Sequence, residues 1–119
     1  MRLLLQGLLF YSALTTQSLA YVSEGHEYKL TCDSIGYTLT SVGNVVRTVG
    51  SGAGTRFVKG KEKIFLGRSC DAYHKLFGTG EWCWANGGFR AAFPLKEFGF
   101  PRQELYCEAA SDFELNCGC

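Results

Sequence analysis

The stretch of sequence that decides the fold is Ser69–Phe93, SCDAYHKLFGTGEWCWANGGFRAAF. It holds both tryptophans, two of the six cysteines and a dense group of aromatic residues. The segments before and after it alternate between apolar and polar residues and are broken by glycine-rich turns, a pattern typical of short strands. We therefore expect the rest of the chain to pack on this stretch.

A short helix is predicted at about residues 70–77. Ser69 is a favourable N-cap, and Gly78 suits the left-handed position that ends a helix. The first, fourth and eighth residues between them are apolar or cysteine and share one helical face, which leaves His74 toward solvent. Because about two turns of helix are marginal alone, a disulfide from Cys70 is expected to anchor it.

The cysteines predict three disulfides, since their number is even and the chain is short. They are Cys32, Cys70, Cys83, Cys107, Cys117 and Cys119. Because the glycines after the helix can reverse the chain, Cys83 is the expected partner of Cys70. Cys32 and Cys107 then each take one of the two C-terminal cysteines. No Cys-x-x-Cys pair is present, so neither a metal nor another cofactor is expected.

The whole pattern predicts an α+β fold that is mostly β: a small antiparallel sheet, stapled by disulfides, with one short helix at about 70–77. Arg56–Val58 and Lys63–Leu66 are expected to form a hairpin around a basic turn. The expected strands are Tyr28–Cys32, Tyr37–Val42, Val45–Val49, Arg56–Val58, Lys63–Leu66, Glu81–Trp84, Phe89–Phe93 and Leu105–Cys107, with a loop at 95–100.

Residues 1–20 predict a secretory signal peptide, followed by a single disulfide-rich domain at 21–119. Arg2 precedes an apolar run, and small residues at Ser18 and Ala20 suit cleavage. Polar residues interrupt the run before the roughly 20 apolar residues that a membrane span needs. We expect a secreted, extracellular monomer that does not associate with membranes, with entry into a host cell left open.

The charges are balanced overall but unevenly placed. The formal net charge is +1, and one of the positive charges belongs to the signal peptide. The middle of the chain is basic, and residues 104–119 carry only acids. The basic residues are Arg47, Arg56, Lys59, Lys61, Lys63, Arg68 and Lys75. This asymmetry has two interpretations: solvated hairpin ends, or a surface that attracts an anionic partner.

Trp82 and Trp84 are the first candidate binding residues. Alternation along a strand places both on one face and Cys83 on the other. If Cys83 faces the core to reach Cys70, one or both tryptophans are partly exposed and offer a platform for a sugar or a protein. The alternative is that both tryptophans belong to the core.

His74, Glu81 and Arg90 are the second candidate set. Their chain order, with Glu81-Trp82 on a strand, resembles the small secreted fungal ribonucleases of the T1/N1 type, which cleave RNA with a histidine, a glutamate, an arginine and a second histidine. This chain has no histidine after Arg90, so the general acid has no counterpart and no catalytic residue is assigned. The resemblance implies RNA binding or a degenerate ribonuclease.

The overall layout resembles the ribonuclease-like effectors of plant-pathogenic fungi. It combines a short signal peptide, an aromatic residue upstream of the first cysteine (Tyr28 and Cys32, more widely spaced than in that motif) and a cysteine at the C-terminus. The resemblance implies a virulence protein that binds a host target without catalysis, most simply a host protein. The alternatives are a protein that binds RNA, and a carbohydrate-binding protein, with a cell-wall polysaccharide as its partner, or a small toxin.

Overall fold

The computed structural model describes residues 20–107 and 116–119, and within them the protein is built almost entirely of β-strands. The predicted signal peptide lies outside the described residues except for Ala20, which begins the first strand. The strands are β1 (Ala20–Ser23), β2 (His26–Asp33), β3 (Gly36–Ser41), β4 (Val45–Val49), β5 (Arg56–Gly60), β6 (Lys63–Gly67), β7 (Asp71–His74), β8 (Gly78–Ala85), β9 (Gly88–Phe93) and β10 (Lys96–Phe100). One short 3₁₀ turn, Gly52–Gly54, connects β4 and β5.

Eight strands form one antiparallel sheet in the order β1-β2-β3-β6-β7-β8-β9-β10. The sheet is nearly closed, because its first and last strands approach each other and the segment after β10 bridges the gap. The Gln103 side chain accepts a hydrogen bond from Val22 N at 2.7 Å and donates one to Val22 O at 2.9 Å. Tyr21 Oη donates to Glu104 O at 2.6 Å. These hydrogen bonds from side-chain and backbone groups thus replace the direct strand pairing that would close the sheet between β1 and β10.

The β4–β5 hairpin is inserted between β3 and β6 and pairs only with itself among the described strands. The predicted hairpin of Arg56–Val58 with Lys63–Leu66 is therefore wrong. Val45–Val49 and Arg56–Gly60 pair instead, with Arg47 opposite Val58. The intervening Gly-rich loop supplies the turn that brings these two strands together.

The core lies on the inner face of the sheet and is dominated by aromatic side chains. Phe89 and Phe100 stack with ring centroids 4.5 Å apart, and Trp82 meets Tyr37 edge to face at 5.8 Å. Such contacts contribute beyond the area that they bury. We call Tyr21, Tyr37, Trp82, Trp84, Phe89 and Phe100 the aromatic cluster.

The predicted helix at 70–77 is absent, and the α+β fold class is wrong: the described chain is all β. Cys70 has φ of 65° and so cannot begin a helix. Asp71–His74 alternates instead, with Ala72 and His74 buried and the other two exposed. The sheet supplies β7 with backbone partners on both sides, which a two-turn helix would have to do without.

Two other predictions fail at the ends of the sheet. Residues 96–100, expected to form a loop, are β10, whose Phe98 and Phe100 are completely buried. Leu105–Cys107, expected to be a strand, has no strand assignment. β1 was not predicted, because its four residues lie next to the proposed cleavage point.

Three disulfides are present, as predicted, but with a different pairing: Cys32–Cys107, Cys70–Cys117 and Cys83–Cys119. The expected Cys70–Cys83 bridge does not form, because Cys70 precedes β7 and Cys83 points to the outer face of β8. Each bridge instead ties the sheet to the C-terminal segment. Within the described residues, no helix has the length and apolarity that would be needed to cross a membrane.

Candidate binding cleft and buried polar network

Glu62 lies at the junction of β5 and β6, and backbone bonds hold it under the hairpin. Its N–H donates to Ser41 Oγ at 2.8 Å, and its carbonyl accepts from Ser41 N at 2.8 Å. Ser41 Oγ in turn donates to Gly43 O at 2.7 Å. This exchange turns the Glu62 side chain into the interior, where it is only 6 % exposed.

The Glu62 carboxylate accepts four hydrogen bonds. Oε1 accepts from Tyr28 Oη at 2.6 Å and from Arg47 Nη2 at 2.8 Å. Oε2 accepts from Arg47 Nε at 2.8 Å and lies 2.8 Å from His74 Nε2. The arginine contact is therefore bidentate, the strongest geometry for such a pair. We call Tyr28, Arg47, Glu62 and His74 the Glu62 network.

Burial and hydrogen bonding act in opposite directions on Glu62. Burial alone raises the pKa of its carboxyl, but the bonds from Arg47, His74 and Tyr28 together outweigh it and hold the pKa well below its usual range. Burial and the bond to Glu62 raise the pKa of Tyr28. The network is thus a charged carboxylate paired with a charged guanidinium and supported by a phenol.

The position of His74 fixes its tautomer. Leu76 N donates to His74 Nδ1 at 3.0 Å, so Nδ1 carries no hydrogen. Nε2 then carries the proton and donates it to Glu62. The imidazole stacks on Phe98 at 5.5 Å and contacts Phe77 at 4.6 Å. Both ring nitrogens are in use.

A second layer of charge closes the network toward solvent. Lys96 Nζ contacts Glu24 at 2.6 Å and lies 5.1 Å from the centre of the Phe98 ring. Arg47 lies 5.2 Å from the centre of the same ring and 3.6 Å from Glu24. Two cations thus lie within about 5 Å of the centre of the Phe98 ring, a distance at which a cation is attracted to an aromatic face.

A cleft of about 590 Å³ opens beside the network. The β4–β5 hairpin and the β6–β7 pair both contribute to its lining, together with the turn after β7. The lining residues are Val45, Arg47, Val58, Lys59, Gly60, Lys61, Glu62, Lys63, Phe65, Tyr73, His74, Lys75 and Leu76. We call this the lysine cleft.

The lysine cleft is cationic. Its one acidic residue, Glu62, is matched by Arg47. Its four lysines are exposed and form no ion pair within the described residues; they are Lys59, Lys61, Lys63 and Lys75. Phe65 and Tyr73 add partly exposed rings, 6.1 Å apart. Five of the seven basic residues between 47 and 75 thus meet in one place.

The structure divides the predicted set of His74, Glu81 and Arg90 between two faces of the sheet. His74, expected to face solvent, is 2 % exposed and points inward. Glu81 and Arg90 lie on the outer face, where Arg90 forms an exposed ion pair with Glu97 at 2.7 Å. Glu81 is opposite Ala92, and Arg90 is opposite Cys83. These three residues therefore do not form one site.

Both tryptophans point into the aromatic cluster. Trp82 is 1 % exposed and donates its indole N–H to Gly67 O at 2.8 Å. Trp84 is half-buried, and its ring lies 5.2 Å from that of Trp82 at 78°. Cys83 takes the opposite face and bridges outward to Cys119. The described structure therefore does not offer the exposed, coplanar pair that sugar stacking needs.

Sequence reasoning missed Glu62, Tyr28 and the two aromatic rings of the cleft. Glu62 stood in a predicted exposed turn, and nothing in its neighbours indicates burial. The cluster of basic residues between 47 and 75 was the one usable signal. An excess of basic residues in this part of the chain allows an anionic partner as one of two interpretations. Most of these basic residues line the lysine cleft.

The carboxylate, imidazole and phenol of the Glu62 network are engaged with one another or with the backbone. Its carboxylate is fully hydrogen-bonded, both nitrogens of His74 are engaged, and the Tyr28 hydroxyl donates to Glu62. General acid–base catalysis needs a group within reach of substrate whose proton is free to move.

Comparison with protein-family models, curated proteins and solved structures finds no match to this chain.

Proposed function

We propose that the protein is a secreted, effector-type binding protein that acts on a host protein without catalysis, and that the lysine cleft is its binding surface. The observation that carries the proposal is the cleft itself: four lysines without ion pairs in the described structure line it together with apolar side chains and two partly exposed rings. Protein interfaces combine apolar and aromatic side chains with polar groups in this way.

The supporting network favours binding over chemistry. A buried carboxylate that accepts four hydrogen bonds is rigid, and a rigid surface loses less entropy when a partner docks. The small disulfide-rich fold is compatible with an extracellular location. Fungal origin and the virulence role rest on the resemblance of the sequence layout.

The test compares the oxidised protein, secreted from a eukaryotic expression host, with its K59E/K63E/K75E variant. Both capture proteins from nuclease-treated host extract, and each captured protein is then purified and titrated. We expect at least a tenfold loss of affinity in the variant. K29E, which reverses an exposed lysine on β2, is the matched control and should stay within twofold. Equal capture by all three proteins would refute the cleft as the surface.

RNA binding is the second candidate, because the basic residues of 47–75 converge beside Tyr73 and Phe65, on which bases can stack. RNA binding would differ from protein binding in its dependence on salt. Affinity for a single-stranded oligonucleotide should fall steeply between low and high salt, since lysine contacts with phosphates release counterions. Capture that disappears after nuclease treatment would favour this function over the first.

A further inference from the structure

The lysine cleft contains strand edges that lack backbone partners in the described structure. β5 pairs with β4 along its whole length and with no other described strand, so its second edge is open. β6 pairs with β3 from Lys63 to Gly67, but with β7 only at Phe65 and Leu66. The N–H and C=O groups at the start of β6 therefore have no ladder on the β7 side.

These open edges are next to the lysines. Val58, Lys59 and Gly60 of β5 and Lys63 of β6 all line the cleft. Unpaired edges accept an added strand readily, because main-chain hydrogen bonds supply affinity and side chains supply specificity. The five residues of β5 give an edge of about 17 Å.

From these two features we propose that the occupant is an extended, acidic segment of the partner protein, which adds as a strand along this edge. The inference rests on the proposed function and specifies its partner. The unpaired strand edge can form hydrogen bonds with the backbone of an added strand, and the lysines can form ion pairs with its carboxylates. The apolar residues Val45, Val58 and Leu76 accept alternate side chains. Val58 and Lys59 are consecutive on β5 and so face opposite sides of it, and an added strand that alternates apolar and acidic residues places each kind beside its match.

A defined peptide tests this binding mode without knowledge of the partner. The probe is a fluorescent eight-residue peptide that alternates glutamate with valine or phenylalanine, titrated by fluorescence polarisation. A second peptide of the same sequence carries N-methyl groups on alternate residues, which removes the donors of one strand edge. A third has lysine in place of glutamate, and a ten-nucleotide oligouridine stands for RNA.

We expect the acidic peptide to bind at least tenfold more tightly than its N-methylated form and than the lysine peptide. K63E should weaken it at least tenfold, and K29E should change it less than twofold. Bound peptide should also slow hydrogen exchange of the amides at 56–64. Melting curves of both variants confirm that they are folded.

The remaining outcomes separate the two proposals. Equal binding of the N-methylated peptide would overturn strand addition and leave the cleft as an interface. Binding of oligouridine alone would overturn a protein occupant. If no peptide binds, strand addition is also overturned. The lysines would then serve to keep the open strand edge from pairing with another chain. The capture experiment above, which needs no peptide, would then decide separately whether the cleft binds a host protein.

Discussion

Two parts of the sheet interior are held together in different ways. The aromatic cluster is packed by ring contacts, and the three disulfides tie the sheet around it to the C-terminal segment. The Glu62 network buries an ion pair, and no disulfide reaches the hairpin that covers it. Apolar packing is insensitive to pH, whereas a buried charge is not. The difference predicts a stable half and a condition-dependent half that carries the cleft.

The largest expected effect is in the aromatic cluster. Phe89→Ala removes a ring that is 1 % exposed and stacked on Phe100. Large-to-small changes of this kind lower the free energy of unfolding by about 3–5 kcal/mol. Urea unfolding at pH 7 and pH 4 should show a similar loss at both. A loss that changes strongly with pH would contradict the apolar character of this half.

Glu62→Gln tests the other half. The substitution keeps the volume but leaves Arg47 without its carboxylate. Removing one partner of a buried pair costs about 3–5 kcal/mol, and we expect the lower part of that range because Arg47 is half-buried and glutamine retains one acceptor. Urea unfolding at pH 7 measures it. Glu81→Gln, on the exposed outer face, is the matched control and should change stability by less than about 0.5 kcal/mol.

The disulfide Cys83–Cys119 gives a smaller effect at the stable half. Its loop spans 36 residues, and removing a disulfide of this kind typically costs about 2–4 kcal/mol. Cys83→Ala with Cys119→Ala should therefore lower the melting temperature. Binding by the lysine cleft should be unchanged, since neither cysteine lines it. Loss of binding in a variant that still melts cooperatively would show that the two halves are coupled.

Most strands of the fold could be predicted from the sequence. Alternation locates Val45–Val49 with the bounds that β4 has in the structure, and most of β2, β3, β6, β8 and β9 to within a few residues. It fails at 70–77, where helical and strand spacing compete over eight residues, and only the positions of β6 and β8 decide between them. It fails also for β10, because two prolines suggested a loop around residues that pair with β9.

The candidate site was less predictable than the fold. The four residues of the Glu62 network come from separate elements, β2, β4, the β5–β6 junction and β7, and meet only in the folded sheet. Each one alone has an ordinary surface interpretation. The predicted set of His74, Glu81 and Arg90 relied on order along the chain, which does not say on which face of a strand a side chain lies.

The smallest effect, and the one that sharpens the comparison most, is the pH dependence of the Glu62 network. Folding lowers the pKa of Glu62. Its contribution to the free energy of unfolding is therefore fully present above pH 4.5, the ordinary pKa of the carboxyl, and is lost as the pH falls from 4.5 toward the lowered pKa. Glu24 acts in the same direction through Lys96, but it is nearly half exposed and solvent screens it. The stability gap between wild type and Glu62→Gln should therefore narrow between pH 5 and pH 3. Thermal melts across that range measure it, with Phe89→Ala as the variant whose gap should stay constant. A constant gap for Glu62→Gln would mean that shape, rather than charge, holds the hairpin over the sheet.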